Sequence, residues 1–155
     1  MTGAVNRIDI KVRWSEADAA GIAFYPRFFE WFDMATEALF ESLEMPWPVI
    51  FPRYRVVGVP IVDVGARFVS PVRYGDTVTV RASVSEVREK VFRVDHEVSV
   101  GERHCASGFA VAALAGAPWL RPISRSRFCR ISDIARIAIR FVWLYWNGPV
   151  KTSAV

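Results

Sequence analysis

A carboxylate lies shortly before a predicted helix, in the small-residue loop that ends at Gly21. The carboxylate is Asp18, and the helix is expected to begin at Tyr25-Pro26, because proline at the first helical position loses no intrahelical hydrogen bond. The first N–H groups of a helix lack intrahelical partners and can receive an anion. Since Pro26 has no N–H, the Tyr25 backbone amide is the leading donor to an oxygen that gains charge. A carboxylate that can act as general base or nucleophile and a donor to an oxyanion are the two groups that attack on a carbonyl carbon requires.

A simpler explanation exists for the same loop. An aspartate before a helix commonly caps the helix or closes a turn, so position alone does not assign Asp18 to catalysis. Gly21 permits a tight backbone turn that lets a carbonyl group approach the helix. Phe24 and Arg27 are weaker candidates for the amide donor. Glu16 is interpreted as a solvated loop charge.

Other kinds of chemistry lack their motifs. The sequence contains no GxSxG, GxGxxG or P-loop, which disfavours serine-hydrolase, dinucleotide and ATP sites. Cys105 and Cys129 form no CxxC motif and lie near no histidine cluster, so we expect neither a metal site nor a disulfide framework. His96 alternates with valines along a predicted strand, where a structural imidazole is commoner than a catalytic one.

The elements that would position Asp18 follow from hydrophobic periodicity. Alternating apolar residues predict a half-buried strand over Arg7–Trp14. Apolar residues at i, i+4 and i+7 predict an amphipathic helix of about four turns, which ends at the proline-rich stretch from Met45 to Pro48. Four more strands follow at short spacing, which predicts antiparallel hairpins: Pro60–Val69, Thr77–Val87, Val91–Val100 and His104–Leu114.

This order of elements predicts an α+β fold, in which one long helix covers one face of a five-stranded antiparallel sheet. A single helix cannot also cover the second face and both edges of the sheet. We therefore expect a dimer rather than a lone monomer.

The charge divides the chain of 155 residues into two parts. Residues 1–120 form the predicted domain, with 13 Lys and Arg against 15 Asp and Glu, which argues against a nucleic-acid partner. Residues 121–155 are a basic, aromatic-rich tail to which we assign no function. Its apolar run is shorter than the roughly 20 residues that span a bilayer, although contact with a membrane surface is compatible with it. The first residues include no apolar leader segment, so we expect a cytoplasmic protein with reduced thiols.

Three motifs together resemble a known family. They are the stretch Asp18–Pro26 (DAAGIAFYP), the stretch Gly58–Val62 (GVPIV), and Phe68–Pro71 followed by Tyr74-Gly75-Asp76. Their order and spacing over Arg7–Leu114 resemble the hydroxybenzoyl-CoA thioesterase group of hot-dog-fold acyl-CoA thioesterases. The resemblance implies a hot-dog fold, in which the sheet wraps the long helix, and a homodimer or homotetramer. It also implies hydrolysis of an acyl-CoA to free acid and CoA, without a metal or other cofactor.

The resemblance also assigns site residues. Asp18 occupies the position of the catalytic carboxylate, beside the Tyr25 amide. Asp33 and Val59 correspond to positions at the acyl pocket, although Asp33 also belongs to a stripe of surface carboxylates. Arg88 and Lys90 match basic hairpin residues that hold the CoA phosphates, and an ordinary charged hairpin tip explains them equally well. A thioesterase for carrier-protein-bound acyl groups and a non-catalytic acyl-CoA-binding domain remain alternatives.

Overall fold

A computed structural model describes residues 5–54, 56–88 and 91–113, and the backbone of residues 115–116. Two helices and seven strands occur in these ranges: β1 Val5–Lys11, α1 Pro26–Ser42, α2 Trp47–Tyr54, β2 Val56–Gly58, β3 Ile61–Phe68, β4 Thr77–Val87, β5 Val91–Val100, β6 Arg103–Ala113 and β7 Ala115–Gly116. Five strands form an antiparallel sheet in the order β1-β4-β5-β6-β3, and β2 pairs with β7. The expected α+β architecture is confirmed.

The long helix α1 lies against the sheet through the apolar face that its sequence predicts. Phe28, Phe32, Ala35 and Leu39 are buried, while the acidic stripe on the other side is exposed. The helix ends as its backbone turns back at Glu44, whose φ is +60°, and the Met45 amide donates to the Phe40 carbonyl. This termination satisfies carbonyls that the helix itself leaves unpaired.

The central strands β4 and β5 have the predicted bounds. Their residues alternate between buried and partly exposed, because one face packs on α1. Val80 stands opposite Val98, and Ala82 stands opposite His96. The register therefore puts one continuous row of small apolar groups, together with His96, beneath the helix.

The helix approaches strand β6 closely at one point. A Cβ atom on Gly108 would lie 2.5 Å from a ring carbon of Phe32 and 2.7 Å from the carbonyl oxygen of Gly65. Only glycine leaves room for the Phe32 ring there. This contact sets the height of α1 above the sheet at the middle of the helix.

The structure differs from the predicted elements in three places. Strand β1 ends at Lys11, so Trp14 is not on its buried face but belongs to a short 3₁₀ turn and is 75% exposed. The proline-rich stretch after α1 does not run as loop: Trp47–Tyr54 forms α2, with Pro52 inside it. The short pair of β2 and β7 was not predicted either.

The predicted basic tail, residues 121–155, lies outside the described residues. Within the described part of the chain, neither helix has the length and apolar character that crossing a bilayer requires.

Candidate active site

The loop before α1 is a tight hairpin closed by hydrogen bonds of its own backbone. The Asp18 amide donates to the Ile22 carbonyl over 2.9 Å, and the Gly21 amide donates to the Asp18 carbonyl over 3.0 Å. The Asp18 carboxylate accepts a hydrogen bond of 2.8 Å from the Ala20 amide through Oδ1. Asp18 thus closes its own turn, while its side chain remains exposed in the single chain. Asp18 therefore closes a turn, as the sequence allowed. Its second carboxylate oxygen, Oδ2, is left available.

Gly21 adopts a backbone conformation that the hairpin requires. Its φ is +73°, which a residue with a Cβ adopts only at a cost. A Cβ there would meet no atom within 4 Å, so the space beside the loop is open. The backbone conformation of this turn therefore favours glycine at position 21. The open space lies on the same turn as Asp18.

Two contacts fasten this hairpin to the loop between β3 and β4. The Ala23 amide donates to the Val72 carbonyl over 2.7 Å, and Ile22 forms an isolated bridge with Arg73. Because Val72 and Ala23 are both buried, the hairpin cannot swing freely away from the sheet. The position of Asp18 is consequently set by the body of the domain.

Glu16 is not the solvated loop charge that the sequence suggested. Its carboxylate accepts hydrogen bonds from the Arg13 amide over 2.6 Å and from the Trp31 indole N–H over 3.4 Å. Its backbone carbonyl also accepts from the Phe24 amide over 2.8 Å. Glu16 thus joins both ends of the loop to α1, and this role was missed because Trp31 lies 15 residues away.

The Tyr25 amide is an unpaired donor at the beginning of α1. Tyr25 precedes Pro26, the first helical residue, and its side chain is 59% exposed. The amides of Arg27 and Phe28 donate to the carbonyls of Phe24 and Tyr25. Among the described residues the Tyr25 amide has no such acceptor, so this N–H is free to bind an incoming oxygen.

A pocket of about 170 Å³ lies beside the second turn of α1. Asp33 and Val59 both line it, so the structure brings together two predicted substrate residues that are far apart in the sequence. Asp33 stands at the mouth of the pocket, where partial burial of the carboxyl raises its pKa. Most of the wall is apolar and comes from β3, β5 and β6: Ile61, Phe92, Val94, Ala110 and Ala112.

Two further polar residues line the same pocket, and the sequence interpretation missed both. Thr36 follows Asp33 by three residues, so both lie on one face of α1, and this spacing was a usable signal. Trp47 is the first residue of α2 and had been interpreted only as part of a helix-ending stretch. Its ring packs edge-on against Phe40 and is stacked on Phe51.

His96 lies behind Thr36 and is only 1% exposed. Its Nε2 atom is 3.0 Å from the Thr36 hydroxyl oxygen, and its ring is stacked on Phe32. Burial lowers the pKa of His96 to about 4 against the opposing effect of Asp95, so the imidazole is neutral near pH 7. The structural role expected for His96 is consistent with these contacts.

Arg88, one of the two predicted phosphate-binding residues, lies at the hairpin between β4 and β5. Arg88 is exposed there and forms an ion pair of 2.6 Å with Glu86. Its amide also donates to the Val91 carbonyl, which closes the hairpin. Lys90 lies outside the described residues.

A family model described as "Thioesterase superfamily" matches residues 20–107. The chain belongs to this superfamily. The match includes the beginning of α1, the pocket residues up to Val94 and the Arg88 hairpin, but it begins just after Asp18.

Curated proteins named as acyl-CoA thioesterases or hydrolases are similar to this chain over 90 to 101 residues. The 4-hydroxybenzoyl-CoA thioesterase of Pseudomonas sp. (strain CBS-3) is 32% identical over 90 residues, which cover 57% of this chain and 64% of that protein. The 1,4-dihydroxy-2-naphthoyl-CoA hydrolase of Synechococcus sp. (strain CC9902) is 31% identical over 101 residues, which cover 63% and 68%.

A solved structure of the 4-hydroxybenzoyl-CoA thioesterase from Pseudomonas sp. strain CBS-3 has a similar fold. Its TM-score to this chain is 0.70 at 25% identity, and the superposition covers 86% of this chain and 99% of that one. The family and the hot-dog fold expected from the motifs are confirmed. The names of these relatives agree with the expected enzyme class, acyl-CoA thioesterase.

Proposed function

We propose that this protein hydrolyses an acyl-CoA thioester to a free acid and CoA, with Asp18 as the catalytic carboxylate and the Tyr25 amide as oxyanion donor. The observation that carries the proposal is the closed hairpin before α1. It holds a carboxylate with one unused oxygen and an unpaired helix N-terminal amide on one short stretch of backbone. Thioester hydrolysis needs these two groups: a base or nucleophile, and a donor for the oxygen that gains charge.

The chemistry balances in either role of Asp18. As a base, the carboxylate takes a proton from water while the water oxygen bonds to the carbonyl carbon. The tetrahedral intermediate then collapses, the C–S bond breaks, and the proton passes to the departing thiolate. As a nucleophile, the carboxylate forms a mixed anhydride and expels the thiolate, after which water hydrolyses the anhydride and restores Asp18. Both routes place negative charge on the carbonyl oxygen, which the Tyr25 N–H would receive.

The open space beside Gly21 supports the approach of the thioester to this loop. The positive end of the α1 dipole adds to the favourable potential for an oxyanion at the same place. One donor of this kind contributes about 10²–10³-fold to turnover in known cases. General-base assistance contributes about 10²–10⁴-fold.

The pocket lined by Asp33 and Val59 is the proposed acyl site. Its apolar wall suits the hydrophobic part of an acyl group, and Asp33 would accept a hydrogen bond from a polar substituent. The CoA phosphates would be held at the β4–β5 hairpin by Arg88 and Lys90, with the phosphates displacing Glu86 from Arg88. The relatives whose names include 4-hydroxybenzoyl-CoA and 1,4-dihydroxy-2-naphthoyl-CoA favour an aromatic acyl group.

A homodimer or homotetramer belongs to the same proposal. Strand β3 is an edge of the sheet, and several large apolar side chains of this strand are 44–58% exposed: Ile61, Val62, Val64 and Phe68. A long apolar edge strand pairs readily with another chain. Pairing of β3 with a second copy would bury these residues and would cover the exposed side of the domain.

A thiol-release assay on the purified full chain tests the activity. We expect CoA release from 4-hydroxybenzoyl-CoA or a medium-chain acyl-CoA at a rate well above the uncatalysed rate. Faster release from the same acyl group on a carrier protein would favour the carrier-protein alternative. Binding of acyl-CoA without any thiol release would leave only the non-catalytic alternative and would overturn the proposal.

A further inference from the structure

The acyl pocket contains two hydrogen-bond donors that the proposed reaction has not used. Of its nine lining residues, three have polar side-chain atoms: Asp33, Thr36 and Trp47. Asp33 is an acceptor when ionised, whereas Trp47 can only donate and Thr36 can do both. The otherwise apolar pocket therefore has polar groups that include both hydrogen-bond donors and an acceptor.

The indole N–H of Trp47 is buried and has no hydrogen-bond partner among the described residues. A buried donor without an acceptor is costly, and native proteins rarely leave one unpaired. The ring is held in place by Phe40 and Phe51, so it is not free to turn toward solvent. An oxygen of a bound ligand would supply the missing acceptor.

The Thr36 hydroxyl is oriented by His96. His96 Nδ1 is buried without a partner in the described part of the chain, while Nε2 lies 3.0 Å from Thr36 Oγ1. We assign the proton of the neutral imidazole to Nε2, because an unpaired buried N–H donor costs more than an unpaired acceptor. Thr36 Oγ1 then accepts from His96, and its own proton is left to donate into the pocket.

We infer that Trp47 and Thr36 are specificity-determining donors that bind an oxygen substituent on the acyl group. This inference rests on the proposed acyl-CoA hydrolysis. A hydroxyl group fits the pattern completely, because it can donate to Asp33 while it accepts from Trp47 or Thr36. His96 is a positioning residue that acts through Thr36.

The volume of the pocket bears on the size of the acyl group. Cavities of about 150 Å³ hold one benzene molecule. The 170 Å³ of this pocket is therefore comparable in size to one ring with a small substituent.

The test compares 4-hydroxybenzoyl-CoA with benzoyl-CoA, which lacks only the oxygen substituent. Trp47→Phe keeps the ring packing and removes the donor, and Thr36→Val keeps the shape and removes the hydroxyl. We expect each variant to lose about tenfold in kcat/KM for the hydroxylated substrate and little for benzoyl-CoA, since one net hydrogen bond is lost. Trp14→Phe and Thr77→Val are matched controls on exposed residues outside the pocket. We expect them to leave unchanged the ratio of kcat/KM for 4-hydroxybenzoyl-CoA to kcat/KM for benzoyl-CoA.

Binding measurements separate this inference from the proposed activity. The dissociation constants of both acyl-CoA molecules are measured by calorimetry for each variant, together with thermal unfolding to verify the fold. If the parent protein hydrolyses neither compound and no medium-chain acyl-CoA either, the proposed function fails, and the ratio of the two dissociation constants still decides the role of the donors. A ratio that is the same in the parent, Trp47→Phe and Thr36→Val proteins would overturn the inference.

Discussion

The hairpin before α1 and the pocket beside α1 are built in different ways. Backbone hydrogen bonds between residues only a few positions apart close the hairpin from Glu16 to Phe24. The pocket, in contrast, draws side chains from Asp33 to Ala112, on both helices and three strands. The first region is a local structure that a short motif encodes, and the second exists only when the whole domain has folded.

The two regions also differ in the form of their polar groups. The hairpin offers a backbone amide and one carboxylate, which belong to two residues that are exposed in the single chain. The pocket offers side-chain donors in front of a buried neutral histidine. We therefore expect changes in the hairpin to alter turnover, and changes in the pocket to alter stability and choice of substrate.

The largest effect is expected from Asp18→Asn. The asparagine keeps the hydrogen bond to the Ala20 amide but cannot act as a base or nucleophile, so turnover should fall at least about 10²-fold. The unfolding temperature should remain close to that of the parent protein. Full activity of this variant in a thiol-release assay would exclude Asp18 from the mechanism. Asp9→Asn, on the outer strand β1, is the matched control and should keep normal turnover.

His96, which lies behind the pocket, should make the free energy of unfolding depend on pH. Its pKa is about 4 in the folded chain, against 6.5 for the unfolded chain. Between these values the unfolded chain takes up a proton that the folded chain does not, so stability falls as the pH drops from about 6.5 to 4. The loss is about 3 kcal/mol from this group, and no more is lost below pH 4.

Urea unfolding at pH 7 and pH 4.5 measures this effect. His96→Gln should remove most of the difference between the two pH values, whereas His104→Gln, an exposed histidine, should retain it. A His96→Gln protein with the full pH dependence would show that other groups, such as the carboxyls, cause it.

A smaller effect is expected from Gly21→Ala. The φ of +73° costs an L-residue about 1–2 kcal/mol, so the variant should be slightly less stable and should lose turnover as Asp18 shifts. Gly101→Ala imposes the same kind of strain at the turn between β5 and β6. Equal losses of turnover in both variants would mean that the effect comes from stability and not from the hairpin.

The smallest effect is expected from Arg88→Ala. An exposed charge contributes up to about 1 kcal/mol, so KM for an acyl-CoA should rise by about fivefold or less at unchanged kcat. The increase should shrink at high salt, because exposed charges are screened. Arg7→Ala on strand β1 removes the same charge elsewhere and should not change KM. A fall in kcat for Arg88→Ala would contradict a role limited to phosphate binding.

The parts of the fold that the sequence predicted are those with a regular local pattern. Strands β4 and β5 were predicted with their observed bounds, because one face of each is buried and the other is not. The beginning of α1 at Pro26 was predicted from the conformational limits of proline. Helix α2 was missed because prolines at positions 46, 48 and 52 argue against a helix, although packing of Trp47 and Ile50 on the core stabilises one.

The candidate site was predictable to a similar extent. Asp18, Gly21 and Tyr25 belong to one motif, and the structure brings them together in one loop. Asp33 and Val59 were associated only through the family resemblance. The contact between Thr36 and His96 joins residues 60 positions apart, and no pattern in the sequence reports such a contact.

The close approach between Gly108 and Phe32 bears on how related enzymes could acquire new substrates. Because the middle of α1 already touches the sheet there, a deeper cavity cannot arise by lifting the helix without opening the domain. Helix α2, which holds Trp47 over the cavity and includes prolines, can change its length or angle without disturbing that contact. Laboratory evolution toward bulkier acyl groups should therefore accumulate substitutions in residues 45–54 before it alters the interior face of α1.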